Sequence, residues 1–115
     1  MGLDLGQKRD FTAIAILERV PSAYHLRHLE RVNLGASYVA VVDRVCQLLK
    51  TPKLDASCTL VLDGTGVGVA VLDLFRARGI FPAAVTITSG HSMYAANGVF
   101  RLPKRHLHHH STVAV

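Results

Sequence analysis

Thr59-Leu60-Val61-Leu62-Asp63, followed at once by Gly64-Thr65-Gly66-Val67-Gly68, is the stretch on which the fold turns. The first five residues are mostly apolar, the pattern of a short strand buried on both faces, and such strands belong to the parallel part of a sheet. The glycines make a tight turn. Beyond them Val71, Leu72 and Phe75 recur at helical spacing, Asp73 and Arg76 fall on the water side, and Gly79 with Ile80 behind it forms a C-terminal cap. Ala83 to Thr88 reads as the next strand. Strand, helix, strand in that order is a crossover unit, so this half of the chain is α/β.

Working back toward the N-terminus, the periods change. Val39, Val42, Val45, Cys46 and Leu49 fall at helical spacing, with Ser37 as N-cap and Thr51-Pro52 as the stop. Before that helix the pattern alternates. Leu3-Asp4-Leu5, the turn residues Gly6 to Asp10, and the β-branched run Phe11 to Val20 read as a hairpin. Pro21-Ser22 breaks the second strand, and Tyr24 to Leu34 supplies a third. The expected architecture is a mixed five-stranded sheet, three antiparallel strands and then helix-strand-helix-strand, with helices on its faces. After Ser89 the pattern decays, and no further long helix is visible.

Composition limits what such a domain can be. With 115 residues, 50% hydrophobic and 18% charged, the chain has room for one sheet and a few helices, which excludes a second catalytic domain. No apolar run approaches the ~18 residues of a membrane span, and Met1 leads directly into Gly2-Leu3-Asp4, so an intracellular protein without membrane partners is expected. Cys46 and Cys58 are too few for a disulfide framework and lack zinc-knuckle spacing; both read as buried free thiols. Thirteen Lys and Arg against eight Asp and Glu give a net charge of +5, which favours a polyanionic partner.

The carboxylates carry the chemistry. Asp4 stands between two leucines, so the pleat that turns Leu3 and Leu5 one way points its carboxylate the other way, and Asp63 ends its strand in the same manner. If the first and fourth strands are neighbours, the two converge at the mouth of the sheet as a hard-cation site for Mg²⁺ or Mn²⁺. Asp10 reads either as a hairpin-turn residue or as an accessory ligand near Asp4. The loop from Gly64 to Gly68 lacks the Gly-Lys-Ser or Gly-Lys-Thr ending of a P-loop, and its spacing fails the dinucleotide fingerprint at Val69. Its role is a tight turn that starts the following helix close to Asp63.

Gly2-Leu3-Asp4-Leu5-Gly6, Asp10-Phe11-Thr12-Ala13-Ile14-Ala15 and Val61-Leu62-Asp63-Gly64-Thr65-Gly66-Val67-Gly68 together resemble the ribonuclease-H-like nuclease domain of phage large terminase subunits. Arg101-Leu102-Pro103-Lys104-Arg105 resembles the segment that leads into that family's last helix. The resemblance spans Gly2 to about Leu107. It divides the chain into a nuclease-type domain over residues 1–107, truncated at its C-terminal end, and a tail over 108–115. It implies a metal-dependent endonuclease that cuts double-stranded viral DNA during packaging, in the cytoplasm of a bacterial host, with a phage or prophage origin. Asp4 and Asp63 match its catalytic, metal-binding carboxylates. Arg101, Lys104 and Arg105 would hold the DNA backbone, and a packaging ATPase or other terminase subunits would be partners.

The family's third acidic ligand has no match, because no Asp or Glu follows Asp73. His106, His108, His109 or His110 could supply a nitrogen ligand instead, or form a solvated tail, while His25, His28 and His91 read as ordinary loop and strand residues. A non-catalytic DNA-binding or assembly module is therefore the alternative. A third reading is an actin-like or sugar-kinase-like domain, since Asp4-Leu5-Gly6 with Thr12 and Asp63-Gly64-Thr65-Gly66 also resemble that superfamily's phosphate loops. Its nucleotide lies between two such domains, and one is present here. An exposed sheet edge or apolar helix face left by the missing last element favours a homo-oligomer.

Overall fold

The computed structural model describes residues 1–6, 10–54, 58–64, 69–88, 94–96 and 99–103. Its elements are β1 (Gly2–Asp4), β2 (Thr12–Val20), β3 (Ala23–Val32), α1 (Tyr38–Leu49), β4 (Val61–Asp63), α2 (Val69–Arg76), β5 (Ala83–Thr88), β6 (Tyr94–Ala96) and β7 (Val99–Pro103). All the strands join one sheet in the order β3-β2-β1-β4-β5-β7-β6. β1 pairs antiparallel with β2, β2 with β3, and β6 with β7. The centre is parallel, β1 with β4, β4 with β5, and β5 with β7.

The mixed α/β sheet and its first five strands are as expected from the sequence. The described residues, however, form a seven-stranded sheet rather than a five-stranded one. β6 was not expected because Tyr94-Ala95-Ala96 carries two alanines, weak strand formers, and β7 runs into Pro103, which cannot donate to a ladder. The signal that could have found this hairpin is Asn97-Gly98, a favoured hairpin-turn pair standing between the two strands in sequence.

Helices on both faces were also expected, yet α1 and α2 share one face. Leu3 is the register partner of Ile14 on β2 and of Leu62 on β4, and the three point together. Val41, Val42 and Val45 of α1 and Val71 and Phe75 of α2 belong to the same buried cluster. Leu3, Ile14 and Phe75 are fully buried, and each such side chain stabilises the fold by about 1.5–3 kcal/mol through the surface removed from water. The opposite face carries Gly2, Asp4, Ala13, Ala15, Val61 and Asp63, the alternate residues of β1, β2 and β4.

Local chemistry ends each helix where the sequence predicts. The Ser37 hydroxyl accepts the Ala40 N–H at 3.1 Å, capping α1. At the other end Lys50 is the C-cap and the Thr51 hydroxyl donates to the Leu48 carbonyl at 2.7 Å. After α2 the Ile80 N–H reaches back to the Phe75 carbonyl and the Gly79 N–H to that of Arg76, both at 3.0 Å, a Schellman closure. Gly79 takes φ of 74°, a left-handed conformation costly for any residue with a Cβ. Cys46 is buried as expected, whereas Cys58 is only half-buried, because it lies before β4 rather than under a helix. Among the described residues no helix is long and apolar enough to cross a membrane.

Candidate functional site

Asp4 ends β1 and Asp63 ends β4, and the parallel register sets them directly beside each other, after Gly2 against Val61 and Leu3 against Leu62. Neighbouring strands lie about 4.8 Å apart, so register partners on one face project their side chains into a common space. The leucines of this register go into the core. The aspartates therefore share the face opposite α1 and α2, which no helix among the described residues covers, with Asp4 exposed and Asp63 half-buried. The Val61 N–H donates to the Met1 carbonyl at 2.8 Å, tying β4 to β1, and the Gly64 N–H donates to the Val85 carbonyl at 2.8 Å, tying the end of β4 to β5.

Asp4 titrates above its ordinary value. Partial burial is the largest cause, and the Asp63 carboxylate and then the Asp10 carboxylate add like-charge repulsion. Asp10 thus lies within electrostatic reach of the pair. It is brought back by a tight return of the chain after β1: the Gly6 N–H donates to the Thr12 hydroxyl at 3.1 Å, and Thr12 itself is buried. A Cβ at Gly6 would collide with the Asp10 carbonyl and the Phe11 main chain, so the return requires glycine.

This arrangement meets the sequence reading at two carboxylates. Among the described residues no group of three His, Cys, Asp or Glu side chains could hold a metal ion, so Asp10 does not complete a set with Asp4 and Asp63. What the pair offers is one short edge of hard, anionic oxygen, half open to solvent, which suits a cation that keeps most of its water. Arg101 lies in β7 opposite Thr86 of β5. Lys104, Arg105 and His106 to His110 lie outside the described residues, as does the loop from Thr65 to Gly68.

A cleft of about 400 Å³ opens at the same end of the sheet, between Asp10 and Thr12 on one side and Asn33, Ser37 and Tyr38 on the other. It includes Asp10 but neither Asp4 nor Asp63. Asn33 and Tyr38 are not legible as cleft residues in the sequence, because their approach depends on β3 running parallel to β1 and delivering the start of α1 to the carboxylate end. The chain matches no family model, no curated protein and no solved structure.

Proposed function

We propose that this chain is a divalent-metal-dependent endonuclease domain acting on double-stranded DNA, of the ribonuclease-H-like terminase type. The observation that carries the reading is the Asp4 and Asp63 register pair at the ends of adjacent parallel strands. The resemblance depends on β1 and β4 being neighbours, and they are. Leaving two like charges side by side on a partly desolvated surface is unfavourable in itself, and a cation between them offsets that cost. Asp4 and Asp63 would hold the ion, Mg²⁺ or Mn²⁺, with water filling its remaining positions. The ion would supply Lewis-acid polarisation of a phosphodiester and a more acidic bound water.

The residues of this chain do the positioning. Asp4 is exposed and Asp63 is half-buried on a strand end that Gly64 ties to β5, and these two carboxylates would hold the ion. The net charge of +5 favours a phosphate backbone as partner. A host cytoplasm, a packaging ATPase and other terminase subunits follow as parts of the same proposal. Self-association is supported by β3, an edge strand of this sheet with Leu29 67% exposed.

The test is relaxation of supercoiled plasmid with Mn²⁺ and then Mg²⁺, using the parent protein and the Asp4→Asn and Asp63→Asn variants. Metal-dependent cleavage is expected, reduced by about 10²–10³ in each variant, the size of effect that follows removal of one electrostatic group from a reacting centre. Cleavage undiminished in either variant would overturn the assignment. A second reading is favoured by the incomplete acidic set: a DNA-binding or assembly module without catalysis. It predicts salt-sensitive DNA binding, no cleavage, and indifference to both substitutions.

A further inference from the structure

One register row crosses the face of the sheet opposite α1 and α2. Arg31 of β3 stands opposite Ala13 of β2, Ala13 opposite Asp4 of β1, and Asp4 opposite Asp63 of β4. The β-bulge in the β2–β3 ladder falls farther along, at Ile16 and Leu17, so alternation is regular here and all four residues face the same way. Arg31 is therefore two strand spacings from Asp4, about 10 Å. Among the described residues of this row only the Ala13 methyl stands between them, and the next row is Gly2 against Ala15. The floor from the carboxylates to the arginine is flat.

Four other described arginines are held in ion pairs. Arg27 is paired with Glu18, Arg44 with Glu30, Arg76 with Asp73 and Arg78 with Asp43. Arg31 instead lies over the ring of Phe11, its guanidinium carbon 4.6 Å from the centroid. Phe11 precedes Ala13 by two residues, which places it on the same face as a diagonal neighbour of Arg31. A guanidinium stacked on an aromatic face keeps its edge N–H donors available while losing rotamer freedom, the preparation that bidentate phosphate contact needs. The ring itself is 46% exposed, so the stack sits at the surface.

We propose that Arg31, seated on Phe11, is a phosphate clamp that directs a DNA backbone across the open face of β2 toward the Asp4 and Asp63 pair. This rests on the nuclease reading for its substrate. Duplex DNA rises ~3.4 Å per nucleotide along its axis, so the separation of about 10 Å between clamp and carboxylates equals an axial rise of about three nucleotides. Arg31 contacts the backbone away from the reacting phosphate, so it binds and orients the strand and takes no part in bond breaking.

The experiment is a salt series of duplex-DNA affinity by fluorescence anisotropy, without metal, for the parent protein, Arg31→Ala, Arg31→Lys and, as a control on the helical side, Arg76→Ala. Loss of one phosphate contact lowers the slope of log affinity against log salt by about 0.9. Arg31→Ala is expected to show that decrease, Arg31→Lys to recover most of the slope, and Arg76→Ala to match the parent. A parent that binds with an unchanged slope in Arg31→Ala overturns the clamp. Cleavage by the same proteins separates the two claims. A lowered slope in Arg31→Ala together with full cleavage by Asp4→Asn overturns the nuclease reading and leaves the clamp standing, whereas a parent that does not bind DNA overturns both.

Discussion

Asp4 is where the proposed function and stability oppose each other. Its folded-state pKa is raised, first by partial burial and then by Asp63 and Asp10, so the folded protein binds its proton more tightly than the unfolded chain does. Without metal, this group therefore lowers stability as pH rises through the window between the ordinary value of 3.8 and the raised one. Asp4→Asn removes that loss and should slightly stabilise the metal-free protein near neutral pH, solvent screening keeping the effect small. Thermal unfolding in chelator checks it; a destabilised variant would mean that Asp4 holds the fold rather than a ligand. Glu30 has the opposite sign. The Arg44 guanidinium donates to it through Nε at 2.7 Å and Nη2 at 2.6 Å, and His28 approaches at 3.1 Å, holding its carboxyl near a pKa of about 2 against an ordinary 4.5. Its contribution is complete above 4.5 and is lost as pH falls from there toward 2, on the order of 1 kcal/mol at this partly exposed site. Glu30→Gln should flatten that acid limb of a stability-versus-pH curve. Asp4 and Asp63 were legible as sequence because Asp4 stands between two leucines and Asp63 follows Leu60 and Leu62 at strand spacing. Arg31 was not, because its place in their row depends on the register of three strand pairs.

The elements were set by short-range chemistry, and this makes their ends testable. Ser37→Ala removes the acceptor for the Ala40 N–H and should cost about 1 kcal/mol in urea unfolding. Gly79→Ala forces a Cβ into a φ of 74° and should cost a similar ~1 kcal/mol. Costs near zero at both positions would show that the helix ends fray in solution. Ser37, Pro52 and Gly79 were readable because capping and stopping depend on a few neighbouring residues. The hairpin of β6 and β7 was not legible for the complementary reason: Tyr94-Ala95-Ala96 has little strand character of its own and gains its place by pairing with Val99 to Arg101, which in turn pair with β5. The shared face of α1 and α2 also lay beyond periodicity, which shows that a helix has an apolar stripe without showing which side of the sheet receives it.

At the scale of the whole molecule, the sheet separates two tasks. One face is closed by both helices over Leu3, Ile14 and Leu62 and supplies stability; the other presents Asp4, Asp63 and Arg31 on a floor of small residues. In the proposed function, placing the charged row away from the core keeps the carboxylates hydrated enough to accept a cation and leaves a surface for a large polyanion. The central claim is that the paired aspartates are a cation site. The most direct measurement is a Mn²⁺ titration of the purified protein at neutral pH, followed by the paramagnetic signal of the free ion, for the parent, Asp4→Asn and Asp63→Asn. The account predicts a site in the parent that weakens by about tenfold or more in each single variant, since a hard cation bound by so few protein oxygens depends on each one. Equal Mn²⁺ uptake by all three proteins, or none by the parent, would contradict it.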